Sequence, residues 1–490
     1  MALHPFPSGQ LRTVPHWIDG AVVAPGESAG ADALEIINPR TDVVVGHSVS
    51  GTAEQVDAAV AAATAAQKSW SRQSALTRSE ALTRLARLIL DNAEELAAAE
   101  AEETGHPAAG ALAEVEAAAQ YFSYYGGMIP ALTGETIDMG GGYHSYTLRE
   151  AYGVVGVITP WNAPLNQAAR AAAPALAVGN AVVIKPSEFT PTTTFQLGVL
   201  AQQAGLPDGL INIVSGAGPT VGEAIVTHRK VSKVAFTGSV RTGQAIGALA
   251  AQRVLPLSLE LGGKSANIVF ADADLQKAAT VAARGFLGNS GQACSAGTRI
   301  LVQRTAHDEF VGLLMAAVEK FAADQDMGPL TTRAQYRKVR DILAEAGQQG
   351  ATAHVAPLAA EGTGGLFVSP TVFTGVDNSM PIARDEVFGP VGVVIPFEEE
   401  SEAIEIANDS DYGLAGAVWT RDLDRAHRVA REIESGQVYI NTYLGPTIEL
   451  PFGGHKMSGY GREKGFETLM HYTHTKAIAV EFSAGAVSGH

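Results

Sequence analysis

Apolar positions along the 490-residue chain change period several times, and each change marks a different kind of element. The first 50 residues are rich in Gly, Pro and Val and read as an irregular arm with short strands. A helical block follows. Thr52 and Gln55 form a T-x-x-Q capping signature, and Val56, Val60 and Ala63 continue on one face. Thr77 and Glu80 repeat the signature as T-x-x-E, ahead of a stripe of Leu82, Leu85, Ala86, Ile89 and Leu90. A third helix is expected from about Ala109 to Tyr125. Between about 133 and 151, TGETIDMGGGYHSYTLREA reads instead as two strands around Gly140-Gly141-Gly142. A lone hairpin is marginal in water, so it is expected to lean on something else, another subunit being one candidate.

From residue 152 the pattern alternates. Strands are expected at 154–159, 181–185, 211–214, 233–237, 256–260 and 266–270, with helices near 165–178, 191–204, 219–227 and 241–251. Apolar strands separated by helices of that length imply βαβ units and a parallel sheet. A second α/β set follows Cys294. Its strands are expected at 298–303, 370–376, 391–397, 415–420 and 437–441, with helices at 306–322 and near 401–408 and 422–434. A last strand near 474–482 precedes a small-residue tail. Two α/β lobes with an early hairpin make a three-part architecture without visible repeats or low-complexity segments.

Composition narrows the function. With 46% hydrophobic and 17% charged residues, the chain buries a large core and is not disordered. Acidic residues outnumber basic ones 51 to 34, and a net charge of -17 repels nucleic-acid backbones and anionic membranes. Small polyanions remain open, because backbone N–H groups hold them locally. Cys294 is the one cysteine, so no intrachain disulfide and no multi-cysteine metal site can form, and no metal is expected. No signal peptide or membrane-spanning run is visible, and the expectation is a soluble cytoplasmic enzyme.

Ligands of open α/β sheets bind beyond the carboxyl ends of the strands. That rule collects Asn162 after 154–159, Lys185 and Glu188 at the end of 181–185, Gly238-Ser239 after 233–237, and Glu260 after 256–259. Gly238-Ser239 opens a helix and suits a phosphate, although a tight strand-to-helix turn reads the same way. Lys185 is equally a solvated lysine, and Glu188 suits a ribose diol. A lone cysteine is more often a small core residue. Cys294, however, lies in the polar, glycine-rich GNSGQACS after a helix expected at about 274–287, which suits a thiol that a substrate approaches.

Seven motifs then fall in order: PWNAP (160–164), KPSE (185–188), FTGS with a following glycine (236–243), ELGGK (260–264), GQAC (291–294), DEVFGP (385–390) and PFGGHKMSG (451–459). Together they resemble the aldehyde dehydrogenase superfamily, from about residue 20 to 480. The resemblance implies an α/β fold with a Rossmann-like cofactor-binding domain (1–130 and 152–262) and an α/β catalytic domain (263–455). It also implies a small β-hairpin oligomerisation platform (131–151 and 470–490) and a homodimer or homotetramer. It implies oxidation of an aldehyde to the acid. Cys294 would be nucleophile, Glu260 the base that activates water, and Asn162 with the Cys294 N–H the oxyanion donors. The thiol pKa is then expected to be depressed. The implied cofactor is NAD, with NADP possible, held by Thr159, Trp161, Lys185, Glu188, Gly218, Phe236, Gly238, Ser239, Leu261, Glu386 and Phe388. CoA-acylating relatives lack the glutamate, so Glu260 favours water as acyl acceptor. Ala163, Gln167, Arg170 and Phe452 are expected to line the substrate pocket, with Tyr443, Leu444 and Ile448 closing it. Arg170 resembles benzaldehyde- and vanillin-type members, or else pairs with an acid such as Glu449. The pattern leans toward aromatic or medium-chain aldehydes, with a betaine aldehyde or semialdehyde as alternative. A cysteine esterase or amidase is the reading from another class.

Overall fold

Two largely parallel sheets carry the molecule, and one short crossover joins them. The structure, a computed structural model, describes residues 3–4, 11–23, 33–140, 142–323, 327–443, 445 and 448–482. The first sheet has eight strands in the spatial order Gly459–Tyr460, Leu257–Glu260, Val231–Thr237, Val154–Ile158, Ala181–Lys185, Ile211–Ile213, His16–Ile18, Ala21–Val23. The five from Leu257–Glu260 to Ile211–Ile213 run parallel. Successive strands build outward from Val154–Ile158 first on one side and then on the other. The order therefore reverses between Val154–Ile158 and Val231–Thr237, which is where such a sheet opens a ligand crevice at its carboxyl edge. Val154–Ile158 and Ala181–Lys185 are buried at every residue, which is why they read as continuous apolar runs rather than as alternation.

The second sheet runs Thr352–Val355, Thr371–Thr374, Val391–Phe397, Arg299–Gln303, Ala266–Val269, Ala415–Trp419, Gln437–Ile440, with only the first pairing antiparallel. Successive residues point to opposite faces, and two separate apolar clusters result. Ile268, Leu301, Val393 and Val418 enter one, while Val269, Ile300, Val394 and Trp419 enter the other. Leu261 to Ser265 lead from the carboxyl end of Leu257–Glu260 to the amino end of Ala266–Val269. The second sheet therefore presents its amino ends to the carboxyl ends of the first. Cys294 precedes Arg299–Gln303 and lies on that amino edge. The carboxyl-end rule thus holds for half the seam only.

The helices follow their caps. Gln55 Oε1 accepts from the Thr52 N–H at 2.8 Å, so the first capping signature forms at the head of Ala53–Trp70. The second does not. Helix Ala75–Asp91 starts earlier, with Ser74 Oγ accepting from the Thr77 N–H at 3.1 Å, and Thr77 lies inside the first turn. Ser is at least as good an N-cap as Thr, and here it comes first. Helix Ala93–Thr104 has no counterpart among the expected elements, because AEELAAAEAEET shows no strong apolar stripe. It nonetheless buries Glu100 and Glu103, and it ends on left-handed Gly105. Ala108–Met128 and Pro164–Ala177 pack together above the first sheet.

The early hairpin, Thr136–Ile137 with Tyr143–Ala151, gains a third strand from its own chain. Thr473–Glu481 pairs antiparallel with all nine residues of Tyr143–Ala151. Ile137, Met139, Leu148 and Val480 stay exposed on this small sheet. Gly141 and residues 483–490, part of the sequence expectations, lie outside the described residues. Among the described residues no helix is long and apolar enough to cross a membrane.

Candidate active site

A pocket of about 430 Å³ opens where Ala108–Met128 and Pro164–Ala177 face the loop bearing Cys294. Asn162, Ala163, Gln167, Arg170, Cys294, Ile448 and Phe452 all line it. Tyr443 does not. It is buried behind the cysteine loop, where its hydroxyl donates to the Ser295 carbonyl at 2.7 Å. Leu444 lies outside the described residues.

The loop owes its shape to three successive left-handed residues, Asn289, Ser290 and Gly291 (φ 52°, 54° and 75°). At Gly291 a Cβ would stand 1.9 Å from the Gly389 carbonyl oxygen, so only glycine fits. Asn289 Nδ2 donates to the Asn162 carbonyl at 3.0 Å, and Asn162 Nδ2 donates to the Gln292 carbonyl at 2.8 Å. Gln292 Oε1 accepts from the Thr331 N–H at 2.9 Å. The Asn162 amide is thereby tied beside Cys294. ELGGK has an equally direct explanation. A Cβ at Gly262 would meet Glu386 Oε2 at 2.5 Å, and one at Gly263 would meet the Cys294 carbonyl oxygen at 2.4 Å. The two glycines let the crossover pass between the cysteine loop and Glu386.

Charges behind the pocket set the electrostatics. Arg170 pairs with buried Glu463, not with Glu449, which stands exposed at the pocket rim. Its guanidinium also lies 4.4 Å from the centre of the Phe452 ring. Burial opposes the Arg170 charge, but Glu463, Tyr121 and Glu260 outweigh it and raise its pKa. Glu260 is 2% exposed, its carboxylate oxygens lack hydrogen-bond partners, and it stands off the pocket wall against Gly453. Burial and then Glu463 hold its carboxyl well above the ordinary value, against Arg170, Arg462 and Lys464. The Cys294 thiol departs from expectation. Burial pushes it up to about 12; Arg170 opposes the shift, and Glu386, Glu260 and Glu463 add to it. The depressed pKa expected for this thiol is absent from the chain's own electrostatics, because burial and three acids outweigh Arg170.

The remaining expected residues gather along the crevice of the first sheet. Thr159 Oγ1 is buried and unpartnered at the end of Val154–Ile158. Trp161 meets left-handed Phe388 edge to face, with ring centres 5.4 Å apart. Lys185 Nζ donates to the Pro186 carbonyl at 2.8 Å and lies 3.3 Å from Glu188 Oε2. Burial lowers the Lys185 pKa, and Glu188 opposes that. Ser239 caps Val240–Ala251, and a Cβ on Gly238 would strike the Phe236 ring at 2.5 Å. Leu261 packs on Gly243 of that helix, and Gly218 opens the turn at Gly218–Gly222. Glu386 Oε1 accepts from the Gly263 N–H at 3.0 Å. A helix N-terminus at the strand-order reversal, with an orphaned hydroxyl, a lysine and two carboxylates nearby, fits a dinucleotide. Among the described residues no group of three or more His, Cys, Asp or Glu side chains is arranged to hold a metal.

Four residues of the site gave no sequence signal. Glu114, Tyr121 and Lys464 line the pocket and Glu463 pairs with Arg170. Glu463 and Lys464 follow the PFGGHKMSG motif by a few residues and nothing in their spacing points back to Arg170. His106 is a fifth buried neighbour. It contacts Asn162 and Asn289, and burial pulls it down to about 4.

A two-lobed α/β fold with a dinucleotide-type crevice and a thiol at its seam defines a class of cofactor-dependent enzyme. Residues 26–478 match the aldehyde dehydrogenase family, and the chain belongs to it. The betaine aldehyde dehydrogenase of Mesorhizobium japonicum is 42% identical over 484 residues, covering 96% of this chain and 97% of that protein. Among solved structures, the indole-3-acetaldehyde dehydrogenase of P. syringae, in complex with NAD+ and IAA, superposes with a TM-score of 0.93. It is 36% identical, with 97% of this chain and 98% of that one covered. The NAD+ complex of the Bacillus cereus aldehyde dehydrogenase gives a TM-score of 0.92 at 39% identity, covering 96% and 97%.

The raised thiol has a measurable consequence. Alkylation of Cys294 by iodoacetamide in cofactor-free protein is expected to speed up about tenfold per pH unit from pH 7 to 10, because only the thiolate reacts. A plateau near pH 8 would show that the chain alone activates the sulfur.

Proposed function

We propose that the protein oxidises an aldehyde to its carboxylic acid with NAD as hydride acceptor. Cys294 is the nucleophile, Asn162 an oxyanion donor and Glu260 the base. The observation that carries this reading is the tether of the Asn162 amide beside Cys294 in one pocket, at a seam where the Glu260 strand also ends. The Cys294 thiolate adds to the carbonyl carbon and leaves an oxyanion. Asn162 Nδ2 and the Cys294 N–H stabilise that charge, and one such donor is worth on the order of 10²–10³ in rate. Loss of hydride converts the adduct to a thioester. Glu260 then takes a proton from water, whose oxygen attacks the acyl carbon and frees Cys294. Because Glu260 stands buried off the pocket wall, its side chain must turn toward Cys294 to do so.

Thr159, Trp161, Gly218, Phe236, Gly238, Ser239 and Leu261 would hold the dinucleotide, with Lys185 and Glu188 on the adenosine ribose and Glu386 beside Phe388 on the other. Bound there, NAD supplies the hydride acceptor and a positive ring. That positive charge would oppose the burial and the acids that raise the Cys294 pKa. The first sheet with its helices (1–130 and 152–262) is the cofactor domain, 263–455 the catalytic domain, and 131–151 with 470–490 a platform between subunits. The platform keeps exposed apolar side chains and open strand edges, and such edges seek partners. A homodimer or homotetramer working in the cytoplasm, where a lone thiol stays reduced, follows. The esterase or amidase reading lacks its base, since no histidine lines the pocket among the described residues. A betaine aldehyde, the substrate named for the Mesorhizobium japonicum relative, wants free aromatic faces for its ammonium. Here the Phe452 ring already holds the cations Arg170 and Lys464.

Absorbance at 340 nm with NAD and an aldehyde panel tests the reaction. Cys294→Ala is expected to abolish NADH formation while NAD binding persists. Glu260→Gln is expected to leave a burst of NADH followed by a slow steady state. Near-wild-type turnover by the alanine variant would exclude the covalent route. For the cofactor, NAD is expected to exceed NADP in kcat/KM, because Glu188 repels a 2′-phosphate, and Glu188→Ser should narrow the gap. A wild-type preference for NADP would overturn that role. Light scattering at micromolar protein is expected to give a dimer or tetramer, and a clean monomer would remove the platform's role.

A further inference from the structure

One cation in the pocket wall is left over once the others are accounted for. Arg170 is committed to Glu463. Lys464 stands 5.3 Å from the centre of the Phe452 ring. Among the described residues it has no carboxylate within 4.0 Å and no hydrogen-bond acceptor. It is also held in the left-handed region (φ 60°), which disfavours a lysine on backbone grounds alone. The acids of the same wall do not cancel it. Glu449 is exposed at the rim, and Glu114 and Glu463 act on Lys464 only through space, neither carboxylate lying within 4.0 Å of its ammonium.

We propose that Lys464 selects aldehydes with an apolar body and an anionic group remote from the carbonyl. This rests on the aldehyde dehydrogenase reading above. The carbonyl is fixed at Cys294 and Asn162, and Lys464 takes no part in the hydrogen bonds of that loop. It therefore meets another part of the substrate. Phe452, Tyr121 and Ile448 cover an apolar body, and about 430 Å³ admits a substituted ring. An anion there gains a charge-assisted hydrogen bond from an ammonium whose contact with the protein is the Phe452 ring. Burial brings the Lys464 pKa down to about 8, so the ammonium persists at pH 7.

The test is a charge series on one ring: 4-carboxy-, 4-methyl- and 4-trimethylammonio-benzaldehyde, read as kcat/KM with NAD at pH 7. The wild type is expected to favour the carboxylate over the methyl compound by about tenfold or more, with the ammonium poorest. Lys464→Met is expected to lower the carboxy-to-methyl ratio about tenfold, and Lys464→Arg to keep most of it. A wild type that treats the three alike, or favours the ammonium, overturns the proposal. So does a methionine variant that slows both neutral and anionic substrates together with their ratio unchanged, the mark of a purely structural lysine. The wild-type series decides even where the methionine variant fails to fold. Equal oxidation of all three leaves the aldehyde dehydrogenase reading intact and removes only the role of Lys464. No NADH from any aldehyde removes both.

Discussion

Five residues between Glu260 and Ala266 bring the two sheets together, and the site exists because that passage is narrow. The chain leaves the carboxyl edge of one sheet and enters the amino edge of the other within Leu261 to Ser265. Gly262 and Gly263 pass so close to Glu386 and the Cys294 carbonyl that any side chain would collide. A methyl group at either position would push the cysteine loop and the 386 region apart, and cores tolerate such overpacking poorly. The same passage ends the Glu260 strand beside the pocket. Asn162 comes from the reversal point of the first sheet and is tied by its amide to the loop before Cys294. Crevice, thiol and acid are therefore positioned by one joint rather than by three independent elements.

That compression has an electrostatic cost. Glu260, Glu386 and Glu463 all raise the Cys294 pKa on top of the effect of burial, and Arg170, itself bound to Glu463, opposes them only in part. The chain by itself stores the sulfur as a thiol. Burial and then Glu463 also raise the Glu260 carboxyl well above its ordinary value. The ion pair Arg170–Glu463 lies at the back of the pocket, and the Phe452 ring lies against both Arg170 and Lys464.

The alternation of apolar strands and helices from residue 152 was enough to place the five parallel strands of the first sheet and six strands of the second, because fully buried parallel strands must be continuously apolar. The exposed strand Thr352–Val355 and helix Arg333–Gln348 left no such signal. The motif residues at strand ends were legible for the same reason: strand boundaries are sharp where an apolar run meets Gly, Pro or a charge. Helix Ala93–Thr104 was not, since its alanine- and glutamate-rich face is buried through tertiary contacts that leave no periodic stripe. The start of Ala75–Asp91 moved from Thr77 to Ser74, because two good caps three residues apart are separated only by which one the chain reaches first.

Cys294, Glu260 and Asn162 stood out in one dimension because each sits in a short motif whose glycines and prolines constrain the local backbone. What only the tertiary structure decided is how charges far apart in sequence meet. Arg170 found Glu463 and not Glu449, Lys464 came into the pocket wall, and the thiol was pushed up instead of down. Local sequence determines dihedral angles and the period of burial. Ion pairs and pKa shifts depend on distance through space and on desolvation, and both are defined only once the two sheets have closed on each other.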